Sequence, residues 1–444
     1  MGGQNRIFEA YCTWQERFGN TWRIDFSNNG MNFVTVCHPD DIRQVFAAEG
    51  KYPYGPAVLF GKMMNEGNKA IGAPPFIAGL EGEEWKKARG KLQKDIFVPS
   101  VAQSYLPLLS EPVAKLADMF PSLPLSDNFV IASLEMFHNV LSGRDLGITD
   151  GPLEQNPLYK FVTEGKKWSQ KVVEFILARD EDKPLALEQF KAIWNIAAPI
   201  SHAGVQQTLK EISIWKDKPV KPYAVRLAER DEESFKEVYS GGTVMDLLLA
   251  AFDTTASLLE LIIFNLASNP EAQERLYQEV NAVTKGGPLL EQHLKSVPYL
   301  KACLKEVYRL NPATPTIGRV LESEIVVSGG YKIPPKVLVM VSGVPWCRNE
   351  KYFPDANSYK PERWQSNQSN EISNQAYLLH QFGFGPRMCI GARIAETETM
   401  AFTSAMVQRY KWNIDPEHLR DVYLDTTTST KVLPKPPINW IKRV

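Results

Sequence analysis

One cysteine lies in a segment whose composition suits a metal-bound thiolate. The segment FGFGPRMCIG, residues 382–391, surrounds Cys389 with three glycines, which leave room for backbone amides to approach the sulfur. Arg387 adds positive charge, which favours the deprotonated thiol that binds metals. From these residues alone, a buried structural cysteine in a glycine-rich turn is the alternative interpretation.

Two further segments carry polar groups in positions where chemistry is conceivable. Glu306 and Arg309 are three residues apart, so on a helix they share one face and can pair. Asp253 and Thr254 interrupt an apolar segment, where a buried carboxylate or hydroxyl is costly without a partner. The simpler interpretations are a surface ion pair for the first segment and hydroxyl bonding to the preceding helical turn for the second.

The order and spacing of these residues resemble the cytochrome P-450 family. Residues 382–391 match its haem-loop pattern F-x-x-G-x-R-x-C-x-G, and residues 250–255, AAFDTT, resemble the oxygen-activation motif A-G-x-D/E-T-T with alanine in place of the usual glycine. W-x-x-x-R at Trp85, E-x-x-R at Glu306 and P-E-R at residues 361–363 also occur in the family's order. The resemblance covers the chain from about position 20 to the carboxyl terminus.

The resemblance implies a site built around haem b. Cys389 would be the axial ligand of the haem iron, and Asp253 and Thr254 would hold water and deliver protons on the opposite side. The other residues implied to hold the haem and its propionates are Trp85, Arg89, Arg319, Phe382 and Arg387.

A structural network behind the haem loop is also implied. Glu306, Arg309 and Arg363 would form a buried Glu-Arg-Arg cluster that is required for haem incorporation. Removing one charge from such a cluster would cost roughly 3–5 kcal/mol, because the other charges are left uncompensated.

Two lysines on the predicted helix of Glu306 indicate the source of electrons. Lys301 and Lys305 form a K-x-x-x-K pattern that resembles the mitochondrial branch of the family, in which both lysines receive an acidic ferredoxin reduced by an NADPH-ferredoxin reductase. The segment EGKYP, residues 49–53, also looks like that branch. A solvated basic face is the alternative. The sequence has no G-x-G-x-x-G after a strand and no P-loop, so we expect electrons to come from another protein.

The composition is that of an ordinary folded protein. Of 444 residues, 44% are hydrophobic and 23% charged, and nothing marks a split into halves, so one domain over residues 1–444 and a monomer are expected. Fifty basic and 51 acidic residues give a net charge of −1, which argues against nucleic acid as a partner. Five widely spaced cysteines argue against a disulfide scaffold or a zinc site and predict a reducing compartment.

Helices must position most of the candidate residues. β-rich pieces at 21–39 and 318–343 predict hairpins, and residues 150–240 are expected to be helices joined by surface loops. The fold class is therefore mainly α with small β-sheets, with haem held between a long central helix and the cysteine loop. The clearest predicted helices span residues 244–267, 271–283, 298–310 and 391–410.

The amino terminus has no apolar run long enough for a signal peptide or a membrane span. The resemblance implies a mitochondrial protein, in peripheral contact with the matrix side of the inner membrane. A transit peptide rich in Arg and Ser is not visible, so we expect residues 1–20 to be a truncated amino-terminal segment or the start of a mature form.

The implied reaction is monooxygenation, in which one oxygen atom of O2 enters a lipophilic, sterol-like substrate. Leu248, Phe252 and Thr316 are expected to line the substrate pocket. Two alternatives stay open: a haem-thiolate isomerase or dehydratase acting on lipid hydroperoxides, and a non-catalytic haem or sterol carrier. The Asp253–Thr254 pair and the lysine pair argue against the first alternative.

Overall fold

A computed structural model describes residues 7–26, 31–70, 75–176, 210–231, 243–365, 375–426 and 429–443, together with positions 188, 192, 195–196, 203, 207 and 233. Much of the segment 150–240 therefore lies outside the described residues. The α-helices are α1 Ile7–Phe18, α2 Pro39–Ala47, α3 Pro56–Ala70, α4 Gly82–Gln93, α5 Pro99–Gln103, α6 Leu106–Met119, α7 Asn128–Ser142, α8 Pro157–Ile176, α9 Ile212–Trp215, α10 Tyr223–Arg230, α11 Thr243–Ala267, α12 Pro270–Thr284, α13 Pro298–Leu310, α14 Val344–Cys347, α15 Ala392–Arg409 and α16 Pro416–Leu419.

Local sequence signals explain where the central helices begin and end. Helices α12 and α13 each start with a proline at the first position, which needs no intrahelical N–H partner. Helix α13 ends before Asn311, which precedes Pro312 and cannot easily keep helical geometry. The helices predicted over residues 244–267, 271–283, 298–310 and 391–410 are confirmed to within a residue or two at each end.

Within the described residues, the strands form one four-stranded sheet and three two-stranded pairs. The largest sheet has the order β1-β2-β6-β3, in which β1 and β2 are the predicted antiparallel hairpin, β2 runs parallel to β6, and β3 is antiparallel to β6. The other antiparallel pairs are β4–β5, β8–β9 and β7–β10. The strands are β1 Thr21–Phe26, β2 Met31–Val36, β3 Ile317–Val320, β4 Ile325–Val327, β5 Tyr331–Ile333, β6 Leu338–Val341, β7 Tyr410–Asn413, β8 Tyr423–Asp425, β9 Lys431–Leu433 and β10 Asn439–Lys442.

The expectation of hairpins over 318–343 is only partly right. β4 and β5 do form a hairpin, but β6 returns to the main sheet and pairs with β2, far away in sequence. In β6, alternate side chains are buried, so that Val339 and Val341 enter the core from one face of the strand. Val36 of the neighbouring strand β2 belongs to the same core cluster. The fold is mainly α with small β-sheets, as predicted.

Helix α11 runs through the largest hydrophobic core and packs against α7, α15, α12, α13 and α8. Its residues Leu247–Ala267 are long and apolar enough by composition to span a membrane, with a mean hydropathy of 1.9, but 72% of that window is buried inside the fold. The burial accounts for the apolar character of the helix, as it does for a core helix. A second core cluster lies around the main sheet, α1, α2 and α14.

Candidate functional site

Cys389 lies in a tight turn that leads into α15. Gly383 and Gly385 have φ values of 73° and 72°, in the left-handed region that favours glycine, and a Cβ on Gly385 would overlap the Glu49 carboxylate. The Cys389 amide donates a hydrogen bond of 2.8 Å to the Phe382 carbonyl, which closes the turn. The glycines of the turn therefore leave the room around the sulfur that the sequence predicted.

Opposing influences act on the Cys389 thiol. The Cys389 side chain is exposed toward the cavity, but desolvation by the surrounding protein atoms still raises its pKa. Hydrogen bonding by the Gly391 backbone, the charge of Arg89 and hydrogen bonding by the Ala392 backbone lower the pKa. A Cβ on Gly391 would lie 4.0 Å from the sulfur, in ordinary contact. Donors and a cation around one sulfur are the surroundings that favour a thiolate once a metal is bound.

A cavity of about 330 Å³ separates this turn from α11. A second cavity of about 180 Å³ shares Arg319, Arg387 and Cys389 with it and extends to Trp85 and Arg89. The larger cavity is lined chiefly by Leu247, Ala250, Ala251, Thr254, Thr255 and Leu258 of α11, by Phe382, Cys389 and Gly391 of the turn, and by Ile394, Ala395 and Glu398 of α15.

The three predicted arginines and Trp85 meet beside the smaller cavity. The Arg387 guanidinium lies 4.1 Å from the centre of the buried Trp85 ring, and Arg89 Nη2 donates 2.7 Å to the Met388 carbonyl. Arg319 Nε donates 2.5 Å to Glu49 Oε2. Burial, and then the charges of Arg319 and Arg89, lower the pKa of Arg387 to about 10. Crowded, partly desolvated cations of this kind favour an anionic ligand.

Asp253 and Thr254 point to different neighbours. The Thr254 hydroxyl donates 2.8 Å to the Ala250 carbonyl, one turn earlier, and its side chain lines the larger cavity. The Asp253 carboxylate accepts 2.7 Å from the Ser429 hydroxyl and lies 2.7 Å from Lys431 Nζ in the segment around β9. The hydrogen bond from threonine to the preceding turn, considered at the outset, is thus present, and Thr254 also lines the cavity.

The structure brings Glu306, Arg309 and Arg363 together. Glu306 Oε1 accepts 2.7 Å from Arg309 Nη2 and 3.0 Å from Arg363 Nε, and the side chains of Glu306 and Arg309 are fully buried. Trp364 Nε1 and the Lys360 amide also donate to this carboxylate. The surface ion pair is therefore excluded as an interpretation, while the cluster's role in haem incorporation stays a prediction.

The two predicted docking lysines lie apart from the cavity. Lys301 and Lys305 are both exposed on α13, the helix that also carries the buried Glu306 and Arg309. Lys305 Nζ lies 5.8 Å from the centre of the Trp364 ring. Cation–aromatic contact at this distance restrains the lysine stem and leaves its charge in water.

The pocket residues named from the sequence need correction. Leu248 and Phe252 are buried on the neighbouring face of α11, where the Phe252 ring lies 5.5 Å from that of Phe161. Leu247, Ala251 and Leu258 line the cavity instead, because positions i, i+4 and i+11 share one side of a helix. Thr316 lies near Tyr11.

Sequence reasoning also missed the contacts of Glu49 and the place of Glu398 in the cavity wall. Glu49 was noted only as part of EGKYP, and no local pattern shows that its carboxylate meets Arg319 across 270 residues. Glu398 did leave a signal, because it interrupts an apolar row on α15 at the spacing Ile394, Glu398, Phe402.

Comparison with known proteins agrees with this geometry. The family model for Cytochrome P450 matches residues 1–441. A rat protein named 1,25-dihydroxyvitamin D(3) 24-hydroxylase, mitochondrial, is 28% identical over 92% of this chain and 79% of its own length. A Drosophila melanogaster protein named Probable cytochrome P450 12b2, mitochondrial, is 25% identical over 91% and 79%. The cholesterol side-chain cleavage enzyme, mitochondrial, of Hypanus americanus is 26% identical over 91% and 79%.

The chain belongs to the cytochrome P450 family. It is a haem monooxygenase, and haem b is its cofactor. The residues present fit that cofactor. A cysteine with backbone donors lines the cavity on one side and α11 lines it on the other. Three arginines line the smaller cavity and could neutralise the two negatively charged propionates of haem. Among the described residues there is no cluster of three or more His, Cys, Asp or Glu side chains that could hold another metal ion.

Proposed function

We propose that this monooxygenase acts on a lipophilic, sterol-like substrate in mitochondria and receives its electrons from an acidic ferredoxin reduced by an NADPH-ferredoxin reductase. The observation that carries the proposal is that Cys389 and Thr254 line one apolar cavity from opposite walls. When bound, haem supplies the binding and activation of dioxygen. The remaining tasks belong to the protein: holding the cofactor, supplying protons and selecting the substrate.

We assign haem binding to Cys389 and to the side chains around the smaller cavity. Trp85 supports the Arg387 guanidinium, whose Nε donates 2.9 Å to the Pro53 carbonyl. Arg89 and Arg319 line the same cavity. Because planar guanidinium groups bind carboxylates with paired donors, these arginines suit the haem propionates.

Proton supply is assigned to Asp253 and Thr254. The Asp253 side chain is 15% exposed and is held by Ser429 and Lys431, so that it can exchange protons with solvent while its position stays fixed. Thr254 carries the adjacent hydroxyl into the cavity. A carboxyl group followed by a hydroxyl on the next residue is a short relay from surface to cavity.

Substrate selection is assigned to the apolar wall of the cavity. Leu247, Ala251, Leu258 and Ile394 offer no charge to a ligand, so affinity must come from burial of apolar surface. Two of the relatives are named for a vitamin D hydroxylation and for cholesterol side-chain cleavage. Both the wall and these names favour a sterol-like molecule.

Electron delivery is assigned to the exposed face of α13. Lys301 and Lys305 are four residues apart, so their charges project from one side of the helix. Lys86 and Lys87 on α4 are also exposed and add positive charge to the protein surface. An acidic ferredoxin would be steered by such charges, and the steering would weaken as salt is added.

The first experiment is the carbon monoxide difference spectrum of the reduced holoprotein, compared with that of Cys389→His. We expect a strongly red-shifted Soret band that is lost in the variant, because only a thiolate ligand donates enough charge to shift it. Folded, haem-loaded wild type without that band would contradict the haem-thiolate assignment. Turnover of a lipid hydroperoxide without NADPH would favour the isomerase alternative.

The ferredoxin assignment has a separate test. Lys305→Glu is expected to lose reduction by ferredoxin while its carbon monoxide spectrum stays unchanged, since the residue is exposed and away from the cavity. Lys332→Glu, an exposed lysine on β5 that faces Glu324, is the matched control. Equal, salt-independent reduction of both variants would rule out docking at α13.

A further inference from the structure

A buried serine of α7 is hydrogen-bonded to the cavity-lining helix α11. The Ser133 side chain is fully buried, and its hydroxyl donates 2.9 Å to the Ala251 carbonyl. Ala251 lines the larger cavity, whereas Ser133 lies behind this wall and does not line the cavity. Asp253 and Thr254 follow Ala251 within one helical turn, so the bond holds the turn that carries both of them.

Three carbonyl groups in this turn of α11 accept hydrogen bonds from hydroxyl groups. The pairs are Thr254 with the Ala250 carbonyl at 2.8 Å, Ser133 with the Ala251 carbonyl at 2.9 Å and Ser429 with the Asp253 carbonyl at 3.3 Å. A hydroxyl that donates to a helix carbonyl competes with the amide of the next turn and bends the helix. The donors come from α11 itself, from α7 and from the segment before β9, so the turn is held from two neighbouring elements.

The bond from Ser133 falls on the residue at which this chain departs from the family's motif. Residues 250–255 have Ala251 where the motif has glycine. Alanine favours regular helical geometry, whereas glycine tolerates departures from it. A donor in α7 that draws the Ala251 carbonyl towards itself opposes this preference of alanine. Helix α7 is well placed to do so, because it packs along α11 and its Phe137, one turn after Ser133, lines the larger cavity.

A second serine of α7 shows the usual alternative for a buried hydroxyl group. Ser142 is also fully buried, and it donates 3.0 Å to the His138 carbonyl of its own helix. Such a bond satisfies the hydroxyl without involving another element. Ser133 instead donates across the interface between two helices. Its bond therefore fixes α11 relative to α7 in addition to satisfying the hydroxyl.

We propose that Ser133 is a positioning residue of the monooxygenase reaction. Through the Ala251 carbonyl, it holds the turn of α11 that carries Asp253 and Thr254 at a fixed depth in the wall of the haem cavity. This inference rests on the function proposed above, in which those two residues supply protons. Loss of the Ser133 hydroxyl should let the turn relax towards regular helical geometry and displace the Thr254 hydroxyl.

The carbon–oxygen stretching band of carbon monoxide bound to the reduced holoprotein tests the position of this turn without a substrate. We expect one narrow infrared band in the wild type and a shifted or broadened band in Ser133→Ala. Ser142→Ala is the matched control, because it removes a buried hydroxyl of the same helix, and its band should equal that of the wild type. An unchanged band in Ser133→Ala would overturn the proposal. Several broad bands in the wild type would do so even if Ser133→Ala does not fold.

A double variant tests whether Ser133 acts through Thr254. In a Thr254→Ala background, Ser133→Ala should cause no further shift of the band, because the displaced hydroxyl is already absent. An equal shift in both backgrounds would overturn the proposal. The red-shifted Soret band separates these outcomes from failure of the proposed function, because that band depends on Cys389. If the Soret band is present and the stretching band of Ser133→Ala is unchanged, only the role of Ser133 is lost.

Discussion

Two buried glutamate side chains of this protein have opposite surroundings. Glu306 accepts five hydrogen bonds, two from Arg309 and one each from Arg363, Trp364 and the Lys360 amide. Glu398 is equally buried and has no such partner among the described residues. Every lone pair of Glu306 is satisfied by the fold, so it can serve only structure. The fold therefore pairs the buried charge of Glu306, whereas it leaves Glu398 in the cavity wall without a protein partner among the described residues.

The two regions also differ in how their partners are held. The Glu306 cluster joins α13 to the short 3₁₀ helix Pro361–Trp364, two rigid elements in direct contact. The cavity is bounded by α11, a glycine turn and α15, and it separates the side chains of these elements from one another. Substitutions in the Glu306 cluster should therefore change the free energy of unfolding. Substitutions in the cavity wall should instead change the amount of product formed.

The largest effect is expected for Glu306→Ala. Removing this carboxylate leaves two arginines uncompensated, so the free energy of unfolding should fall by about 3–5 kcal/mol. Chemical denaturation of the holoprotein and haem content per chain measure it. Asp25→Asn, in the exposed pair with Arg23, is the control and should change stability by about 1 kcal/mol or less. Equal losses in both variants would remove the distinction between the two regions.

Thr254→Ala should give the converse result. We expect product formed per electron to fall about a hundredfold, as for loss of a positioned proton-transfer group. Stability should change by less than about 0.5 kcal/mol, because the side chain is exposed and bonds only to its own helix. Thr399→Ala, which removes a similar bond to the preceding turn of α15, is the control. A large stability loss in Thr254→Ala would assign the residue to structure.

Glu398→Gln should change how stability depends on pH. The pKa of Glu398 is raised in the folded protein, so the native state keeps a proton that the unfolded chain loses near 4.5. The wild type must therefore lose stability relative to the variant as pH rises above that value, by at most about 1.4 kcal/mol per pH unit. Urea denaturation of both proteins between about pH 5 and 8 measures the difference. Parallel curves would mean that the native carboxyl ionises normally.

The smallest effect is expected for Ser429→Ala. The Ser429 hydroxyl donates to Asp253, and its loss removes this hydrogen bond while Lys431 remains. A hydrogen bond of about 1 kcal/mol corresponds to roughly a fivefold fall in product per electron. Ser110→Ala, whose hydroxyl bonds only within α6, is the control. An unchanged product ratio would show that the Ser429 hydroxyl is not needed to hold Asp253.

Much of the candidate site could be predicted from the sequence, because its residues lie in local patterns or at fixed spacings. Glycines in the left-handed region, prolines at helix starts and a three-residue Glu–Arg spacing depend on neighbours within one turn. Cys389, Thr254 and Glu306 were therefore predicted by position. The resemblance to a family supplied Trp85 and Arg319, whose roles no local pattern indicates.

Only the tertiary structure decided which side chains meet. The face of α11 that lines the cavity depends on how the helix is rotated against α7 and α15, and the choice of Leu248 and Phe252 was wrong for that reason. The contact of Glu49 with Arg319 and the isolation of Glu398 arise from segments far apart in sequence. The sequence determined the helices and the reactive residues, because propensity and periodicity are local. Packing determined whether each buried charge found a partner, because that depends on long-range contacts.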